Sequence, residues 1–289
     1  MRNNGLGRYG VLAMEPGAQG AWCRHVDPEP SIPTAAGTSS AFADVVSIYR
    51  QSKKRNDNLW TEWVSRPPAA VLVWMLRSSP ITPNQVSFIA IAIAAVGCGV
   101  MIAWQSFYGL VLAGLLLQLA YVVDCVDGQL ARTKNQTSPA GALLDFMLDE
   151  VKAFLVLGSA AVRLYLQRGD ATYLLIGLGG LFACATGITL TTFMRRPEYL
   201  AAVGAPPILP ATDRAGFLPA KLTPIGLVEA AGRFVLHYPS WFLFVCFANR
   251  LEWFLYVYVG AHVLYLGRAS LIVLLRLGHP RIYRKDTST

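Results

Sequence analysis

The chain has 289 residues, of which 54% are hydrophobic and 15% are charged, with a formal net charge of +8. Soluble domains carry about 25% charged residues, so this composition excludes an ordinary soluble protein and indicates an integral membrane protein. The basic residues stand beside apolar segments rather than along one polar face, which favours membrane orientation over nucleic-acid binding. We therefore predict the lipid bilayer, and no nucleic acid, as a partner.

Two segments precede the first long apolar run. Residues 1–57 are predicted to form a flexible cytoplasmic extension, because the stretch up to about Ser40 is rich in Gly, Pro and Ser. Residues 58–79 include TEWVSRPPAAVLVWMLRSS, which mixes Trp, Arg and aliphatic side chains. That stretch is too short and too interrupted to cross a bilayer, so we predict an amphipathic juxtamembrane helix that lies in the membrane interface.

Residues 80–278 are predicted to form an all-α membrane domain of six transmembrane helices, followed by a basic cytoplasmic tail at 279–289. Some of the six apolar runs need their polar ends to reach the length of about 20 residues that a span requires. The predicted spans lie at Val86–Trp104, Tyr108–Val123, Ala153–Val162, Thr172–Met194, Pro239–Ala248 and Leu251–Leu275. Thr82-Pro83 and Ser138-Pro139 are typical N-cap and first-turn pairs, and they predict where spans one and three begin.

Basic residues cluster before the first span and after the second, fourth and sixth spans. Because Lys and Arg are enriched on the cytoplasmic side of membrane proteins, both termini and these connections are predicted to be cytoplasmic. We expect a membrane of the bacterial inner (plasma) type.

Acidic residues gather where span two ends and span three begins, in DCVDGQLARTKNQTSPAGALLDFMLDE (Asp124–Glu150). Residues spaced by three or four positions share one face of a helix, and a short loop folds two such faces together. The residues that share these faces are Asp124, Asp127 and Gly128 on the first helix and Gly141, Asp145 and Asp149 on the second. The pattern therefore predicts four carboxylates in one small volume at the cytoplasmic side.

Four carboxylates beside a membrane need a partner that compensates their negative charge, since moving one carboxylate to the centre of a span costs roughly 2.5–3.5 kcal/mol. Their hard oxygens suit Mg²⁺ or Mn²⁺, and four can hold two ions about 3.5–4 Å apart, an arrangement that stabilises a phosphoryl group under in-line attack. Gly128, Ala131 and Gly141 leave room for a bulky ligand, and Arg132 can bind phosphate oxygens. The pattern thus predicts a phosphate-bearing substrate.

The motif DxxDGxxAR, eight further residues and GxxxDxxxD, from Asp124 to Asp149, resembles the motif of the CDP-alcohol phosphotransferase (CDP-alcohol phosphatidyltransferase) family at every fixed position. The predicted topology is similar to that family over about residues 61–277, and the N-terminal extension falls outside the resemblance.

The resemblance implies a divalent-metal-dependent transferase in which an acceptor oxygen attacks the β-phosphorus of a CDP-linked donor and CMP leaves. A homodimer is common in similar proteins. The implied metal ligands are Asp124, Asp127, Asp145 and Asp149, of which Asp149 is also the implied general base. The implied CDP-binding residues are Gly128, Ala131 and Gly141 around the cytidine and Arg132 on the pyrophosphate. Glu150, with Lys152 nearby, points around the helix from Asp149 and is given a structural role.

Three assignments of function are compared. The first transfers a phosphatidyl group from CDP-diacylglycerol to a small, phosphorylated alcohol in phospholipid biosynthesis. A close alternative transfers a polar phosphoalcohol from a CDP-linked head group to a lipid or soluble alcohol, and the motif serves both. A distant alternative, an ion-coupled transporter, predicts broken helices and two related halves, and the sequence shows no internal repeat. It also leaves the small and basic motif residues unexplained, namely Gly128, Ala131, Arg132 and Gly141.

A phosphorylated acceptor needs cations for its own phosphate. The candidates are Arg195 and Arg196 after span four, Arg214 and Lys221 in the following loop, and Arg268 within span six. Arg268 is the most informative of them, because a cation within a span is costly and tends to face the protein interior. The alternative is that Arg195 and Arg196 only anchor the topology and that Arg268 extends to the membrane surface. His237, which precedes Pro239, is interpreted as a structural hydrogen-bonding residue.

Overall fold

The computed structural model of the chain describes residues 40–51, 60–203 and 231–277, and within these ranges it is helical apart from short connections. The elements are α1 (Ala41–Gln51), a π-helical turn (Thr61–Ser65), α2 (Arg66–Leu76), α3 (Pro83–Ala103), α4 (Phe107–Thr133), α5 (Pro139–Arg168), α6 (Thr172–Phe193), α7 (Pro197–Ala202), α8 (231–236), a 3₁₀ turn (Tyr238–Ser240), α9 (Phe242–Phe247) and α10 (Leu251–Leu277). The predicted all-α class is confirmed for this part of the chain.

Four helices in the described ranges, α3, α4, α6 and α10, are long and apolar enough to cross a membrane. Helix α5 has 30 residues, about 45 Å, but it carries the charged residues of the acidic motif. The predicted span Pro239–Ala248 is not one continuous helix, because a 3₁₀ turn at Tyr238–Ser240 and the six-residue α9 replace it. Pro239 lacks the backbone N–H that a continuous helix needs at this position. Six continuous spans are therefore not what the structure shows.

Within the predicted extension at residues 1–57, residues 41–51 form the helix α1. Asp44 accepts a hydrogen bond from Trp74 Nε1 at 3.4 Å and lies 2.9 Å from an Arg77 nitrogen, so α1 is tied to α2. Sequence reasoning missed α1 because it is short and follows a segment of low complexity. Residues 1–39, the candidate cations Arg214 and Lys221, and the predicted tail at 279–289 lie outside the described residues.

The predicted helix starts at Thr82 and Ser138 are both confirmed. Thr82 and Gln85 form a reciprocal capping box at α3, and Ser138 Oγ accepts from Gly141 N at 3.0 Å at the start of α5. These caps satisfy N–H groups that have no partner inside the helix. They fix where α3 and α5 begin, beside the acidic end of α4.

Glycines set the register of the long helices. A Cβ added to Gly177 would lie 2.3 Å from Ala161 Cβ, and one added to Gly180 would lie 3.2 Å from Leu157 Cδ2, so α6 runs antiparallel to α5. A Cβ added to Gly180 would also lie 2.5 Å from Val259 Cγ2, and one added to Gly187 would lie 3.0 Å from Tyr265 Cδ1, so α6 runs parallel to α10. The end of α6, the start of α5 and the second half of α10 therefore lie at one end of the bundle.

The opposite end of the bundle is held by a buried cation on α5. Arg163 is 0% exposed. Its guanidinium donates to four backbone carbonyls where α3 ends and α4 begins, namely Met101 at 2.8 Å, Trp104 at 2.8 Å, Gln105 at 3.0 Å and Ser106 at 2.8 Å. Met101 lies in the last turn of α3, where carbonyls lack donors within the helix, whereas the Ser106 carbonyl also accepts from Leu110 N at 3.2 Å.

We expect Arg163→Met to lower the free energy of unfolding in detergent by roughly 3 kcal/mol or more, because several buried carbonyls lose their donors. The exposed Arg168 on the same helix is the matched control, and its replacement by Met should change the free energy by at most about 0.5 kcal/mol. Denaturant unfolding followed by circular dichroism measures both. Equal effects of the two variants would contradict a structural role for Arg163.

Candidate active site

Three of the four predicted metal ligands come together between α4 and α5. One ligand atom from each of Asp124, Asp127 and Asp145 lies within 4.8 Å of the others. Asp124 and Asp127 stand one turn apart on α4, and Asp145 comes from the second turn of α5. The two faces meet because the loop between α4 and α5 is only a few residues long.

A residue of α3 holds the most buried of these carboxylates. The Ser87 hydroxyl is in hydrogen-bonding contact with Asp127 Oδ2 and lies 3.3 Å from the Pro83 carbonyl. Both Ser87 and Asp127 are buried. Sequence reasoning did not identify Ser87, although its place one helical turn after Pro83 indicates that its hydroxyl lies close to the capped start of α3. The contact fixes the orientation of the Asp127 carboxylate.

Asp149, the fourth predicted ligand, lies outside this group of three and is bound to Lys152. The Lys152 ammonium lies 2.7 Å from Asp149 Oδ1 and also forms an ion pair with Asp124 Oδ1. The side chains of Lys152 and Asp124 are 5% and 11% exposed, whereas that of Asp149 is 54% exposed. Asp149 is therefore the carboxylate of the site that solvent or a second substrate reaches most easily.

Small residues beside the carboxylates leave space that protein atoms do not fill. Among the described residues, and apart from the backbone of its own helix, the only atom within 4 Å of a Cβ built on Gly128 is Arg132 Nη1 at 3.6 Å, an ordinary contact. In contrast, a Cβ on Gly114 of the same helix would meet Cys246 Sγ at 2.9 Å. Packing of helices therefore explains Gly114 but not Gly128. The Arg132 guanidinium lies beside this open face.

The residues fit a divalent ion. Carboxylate oxygens are the hard ligands that Mg²⁺ and Mn²⁺ prefer, and Mg²⁺ binds them at about 2.0–2.1 Å in octahedral geometry, so two ligand oxygens of one ion are about 3–4 Å apart. The three converging aspartates, within 4.8 Å of one another, need only a small adjustment to reach that separation. The four carboxylates also outnumber the two neighbouring cations, Lys152 and Arg132, which leaves an excess of negative charge for metal.

A hydrogen-bonded chain supports α4 one turn before Asp124. The Tyr121 hydroxyl lies 2.6 Å from Thr61 Oγ1 and 2.8 Å from His237 Nε2, and His237 Nδ1 lies 2.5 Å from Ser240 Oγ. These contacts tie the π-helical turn and the 3₁₀ turn before α9 to the helix that carries Asp124. The structural interpretation of His237 agrees with these partners.

The sequence of this region matches a known family. Residues 80–218 fit the family model for CDP-alcohol phosphatidyltransferases. These residues form a CDP-alcohol phosphatidyltransferase domain.

Curated proteins with similar sequences agree with this family. The chain is 35% identical over 132 residues to the bifunctional IPC transferase and DIPP synthase of Rubrobacter xylanophilus, a match that covers 46% of this chain and 27% of that protein. It is 35% identical over 105 residues to the archaetidylinositol phosphate synthase of Pyrococcus horikoshii, covering 35% of this chain and 52% of that protein. A bifunctional IPC transferase and DIPP synthase from Thermococcus kodakarensis is 36% identical over 69 residues, 24% of this chain and 15% of that protein. The chain thus spans about a quarter of the length of the Rubrobacter protein and about half of the length of the Pyrococcus protein.

Three exposed arginines lie at the acidic end of the bundle. Arg195 and Arg196 follow the end of α6 and are exposed, and Arg268 is exposed on α10. Gly187 of α6 lies beside Tyr265 of α10, and the two helices run parallel. Arg268 therefore lies less than two helical turns from Arg195 along the bundle axis. The antiparallel register of α5 and α6 puts all three at the end where α5 begins.

Proposed function

We propose that the protein is a membrane phosphotransferase that moves a phosphatidyl group from CDP-diacylglycerol to a small, phosphorylated alcohol, with release of CMP. The observation that carries this proposal is the convergence of Asp124, Asp127 and Asp145 beside the open face of Gly128 and Arg132, within a family domain for this reaction. The product would be a phospholipid.

Asp124, Asp127 and Asp145 would hold Mg²⁺ or Mn²⁺, with Asp149 completing a site for two ions. When bound, the metal supplies positive charge that stabilises the phosphoryl group under attack. Ser87 would keep Asp127 in its binding orientation, because partners of a metal ligand fix its rotamer.

The chain's own residues would bind and orient the two substrates. Gly128, Ala131 and Gly141 would line the cytidine pocket, and Arg132 would bind the pyrophosphate oxygens in a forked geometry. Asp149, the most exposed carboxylate of the site, would accept the proton of the acceptor hydroxyl on Oδ. The acceptor oxygen then forms a bond to the β-phosphorus, and the bond to CMP breaks.

The acceptor proposal rests on charge. The Pyrococcus relative is an archaetidylinositol phosphate synthase, so inositol 1-phosphate is the first acceptor to test. Arg195, Arg196 and Arg268 lie at the acidic end of the bundle, where they would bind the phosphate of such an acceptor.

Release of CMP by the purified protein in detergent with Mg²⁺ and CDP-diacylglycerol tests the proposal. The acceptor panel is inositol 1-phosphate, glycerol 3-phosphate, inositol, serine and no addition, each with and without a chelator. We expect metal-dependent release with one phosphorylated acceptor, and a higher KM for that acceptor when Arg195, Arg196 or Arg268 is replaced by Gln. Release only with CDP-linked choline, ethanolamine or inositol would support transfer of a polar phosphoalcohol instead.

Gly128→Ala is expected to weaken binding of CDP by at least about tenfold while the protein stays folded, because the added methyl group fills the open face and meets no packed helix. Gly158→Ala on α5 is the matched control, since no atom of the described residues outside the α5 backbone lies within 4 Å of a Cβ at that position. Calorimetric titration with CDP and thermal unfolding measure the two effects. Unchanged CDP affinity in Gly128→Ala would contradict the assignment of the pocket.

We also propose that the acidic end faces the cytoplasm of a bacterial-type inner membrane, with both termini on that side and residues 58–79 in the interface. Alternation within α2 supports the interfacial helix, since Ala69, Ala70 and Val73 are buried while Val71 and Met75 are exposed. Six crossings require α5 and the segment from α8 to α9 to cross as well. The homodimer implied by the family resemblance stays a prediction.

In a variant without native cysteines, Gln136→Cys and Ala171→Cys test this orientation. A membrane-impermeant maleimide added to intact cells is expected to label the Ala171→Cys protein and to reach the Gln136→Cys protein only after permeabilisation, since basic connections stay inside. The reverse labelling pattern would contradict the proposed orientation.

A further inference from the structure

Lys152 is a buried, charged residue of the site to which the proposed reaction assigns no task. Its side chain is 5% exposed, and its ammonium links Asp124 on α4 to Asp149 on α5. Taking an ammonium group out of water costs several kcal/mol, which one carboxylate repays poorly. Two carboxylates are present here, so the lysine is held by the charge of the metal site and not by packing alone.

The carboxylates of the site fall into two groups. The first group, Asp124, Asp127 and Asp145, has its ligand atoms within 4.8 Å and is complete without Lys152. The second group is Asp124 and Asp149, and Lys152 binds both. Asp124 belongs to both groups, as a carboxylate that bridges two cations must.

An ammonium and a divalent ion compete for the second group. Both cations bind the same oxygens of Asp124 and Asp149. The lysine nitrogen lies at hydrogen-bonding distance from them, whereas a metal ion would lie at about 2.1 Å. Two cations that share the same oxygens in so small a volume also repel each other. A divalent ion can therefore bind Asp149 fully only when the ammonium has moved away.

We propose that Lys152 occupies the position of the second divalent cation, so that the first ion binds the three converging aspartates and the second binds only by displacing the Lys152 ammonium from Asp124 and Asp149. This inference rests on the proposed function, because it assigns an order to the filling of that metal site. Lys152 is a positioning residue in this account: it holds Asp149 beside Asp124 until the second ion arrives.

Binding of Mn²⁺ to the purified protein in detergent, with no substrate, tests the inference through the electron paramagnetic resonance signal of free Mn²⁺. We expect the wild type to bind one ion tightly and a second at least about tenfold more weakly. Lys152→Met should tighten the second step at least about tenfold and the first step much less. Lys152→Arg keeps the cation and should leave the second step within about threefold of wild type.

Lys134→Met is the control for loss of one positive charge nearby, because Lys134 ends α4 and donates to the Ser79 and Ile81 carbonyls rather than to the aspartates. Equal effects of Lys134→Met and Lys152→Met, or an unchanged second step in Lys152→Met, would overturn the inference. Asp127→Asn should weaken the first step. If it leaves Mn²⁺ binding unchanged, the proposed metal site itself fails, which is a separate result.

Lys152→Met also leaves two carboxylates without their cation, and its melting temperature without metal is expected to fall. Under the inference, saturating Mn²⁺ restores the melting temperature, with a larger increase than in the wild type. A loss of folding that Mn²⁺ does not restore would mean that Lys152 serves the fold alone, and would overturn the inference.

Discussion

Asp149→Asn is expected to lower kcat by about 10²–10⁴-fold while the protein stays folded and the KM for the CDP-linked donor changes little. The amide has nearly the shape of the carboxylate but cannot accept the proton of the acceptor hydroxyl, and a positioned general base contributes a factor of this size. Asp149 is 54% exposed and lies outside the three converging aspartates, so its replacement leaves those three ligands intact.

The neighbouring Glu150→Gln is the matched control for this substitution. Glu150 follows directly on α5 and points about 100° around the helix, so the same chemical change should leave kcat within about threefold of wild type. Steady-state release of CMP measures both variants. A fully active Asp149→Asn protein would rule out the base assignment, and equal loss in both variants would point to a general effect on α5.

Asp127→Asn is expected to lower kcat/KM by more than about 100-fold and to weaken binding of Mg²⁺ or Mn²⁺. Asp127 is the most buried of the converging carboxylates, and its removal takes a charged ligand from a group of three. Ser87→Ala should cost less, about 10–100-fold, since partners of metal ligands typically contribute that much. The decrease in activity should shrink as the metal concentration rises.

Asp170→Asn is the control for loss of an acidic residue far from the site. Asp170 lies in the connection between α5 and α6, where its carboxylate accepts a hydrogen bond from Thr172 N at 2.9 Å. We expect unchanged metal binding and unchanged activity. Metal titrations that cannot distinguish Asp127→Asn from Asp170→Asn would show that the converging aspartates hold no ion.

Much of the site could be predicted from the sequence because its geometry is local. The spacing of Asp124, Asp127 and Asp145 on two helices joined by a short loop is sufficient to bring their carboxylates together. The caps at Thr82 and Ser138 are equally local, because a hydroxyl side chain satisfies N–H groups within the same turn. These features need no knowledge of how distant helices pack.

The features that sequence reasoning missed depend on contacts between helices. Sequence reasoning assigned no role to Lys152, because its position on α5 says nothing of how near it lies to Asp124 on α4. Ser87 and Arg163 likewise act across 40 and more than 55 residues of sequence. The broken helix at Pro239 was predicted as a span because its apolar composition masks the loss of backbone hydrogen bonds.

The most direct test of the central claim follows the β-phosphorus of the donor. CDP-diacylglycerol labelled with ³²P at the β-phosphate is incubated with the purified protein, Mg²⁺ and the acceptor found in the panel, and the lipid and water-soluble products are separated. Attack at the β-phosphorus predicts that the label appears in a new phospholipid and that the released CMP is unlabelled. Label in the nucleotide, or a wild-type reaction that Asp127→Asn leaves intact, would contradict phosphatidyl transfer at this site.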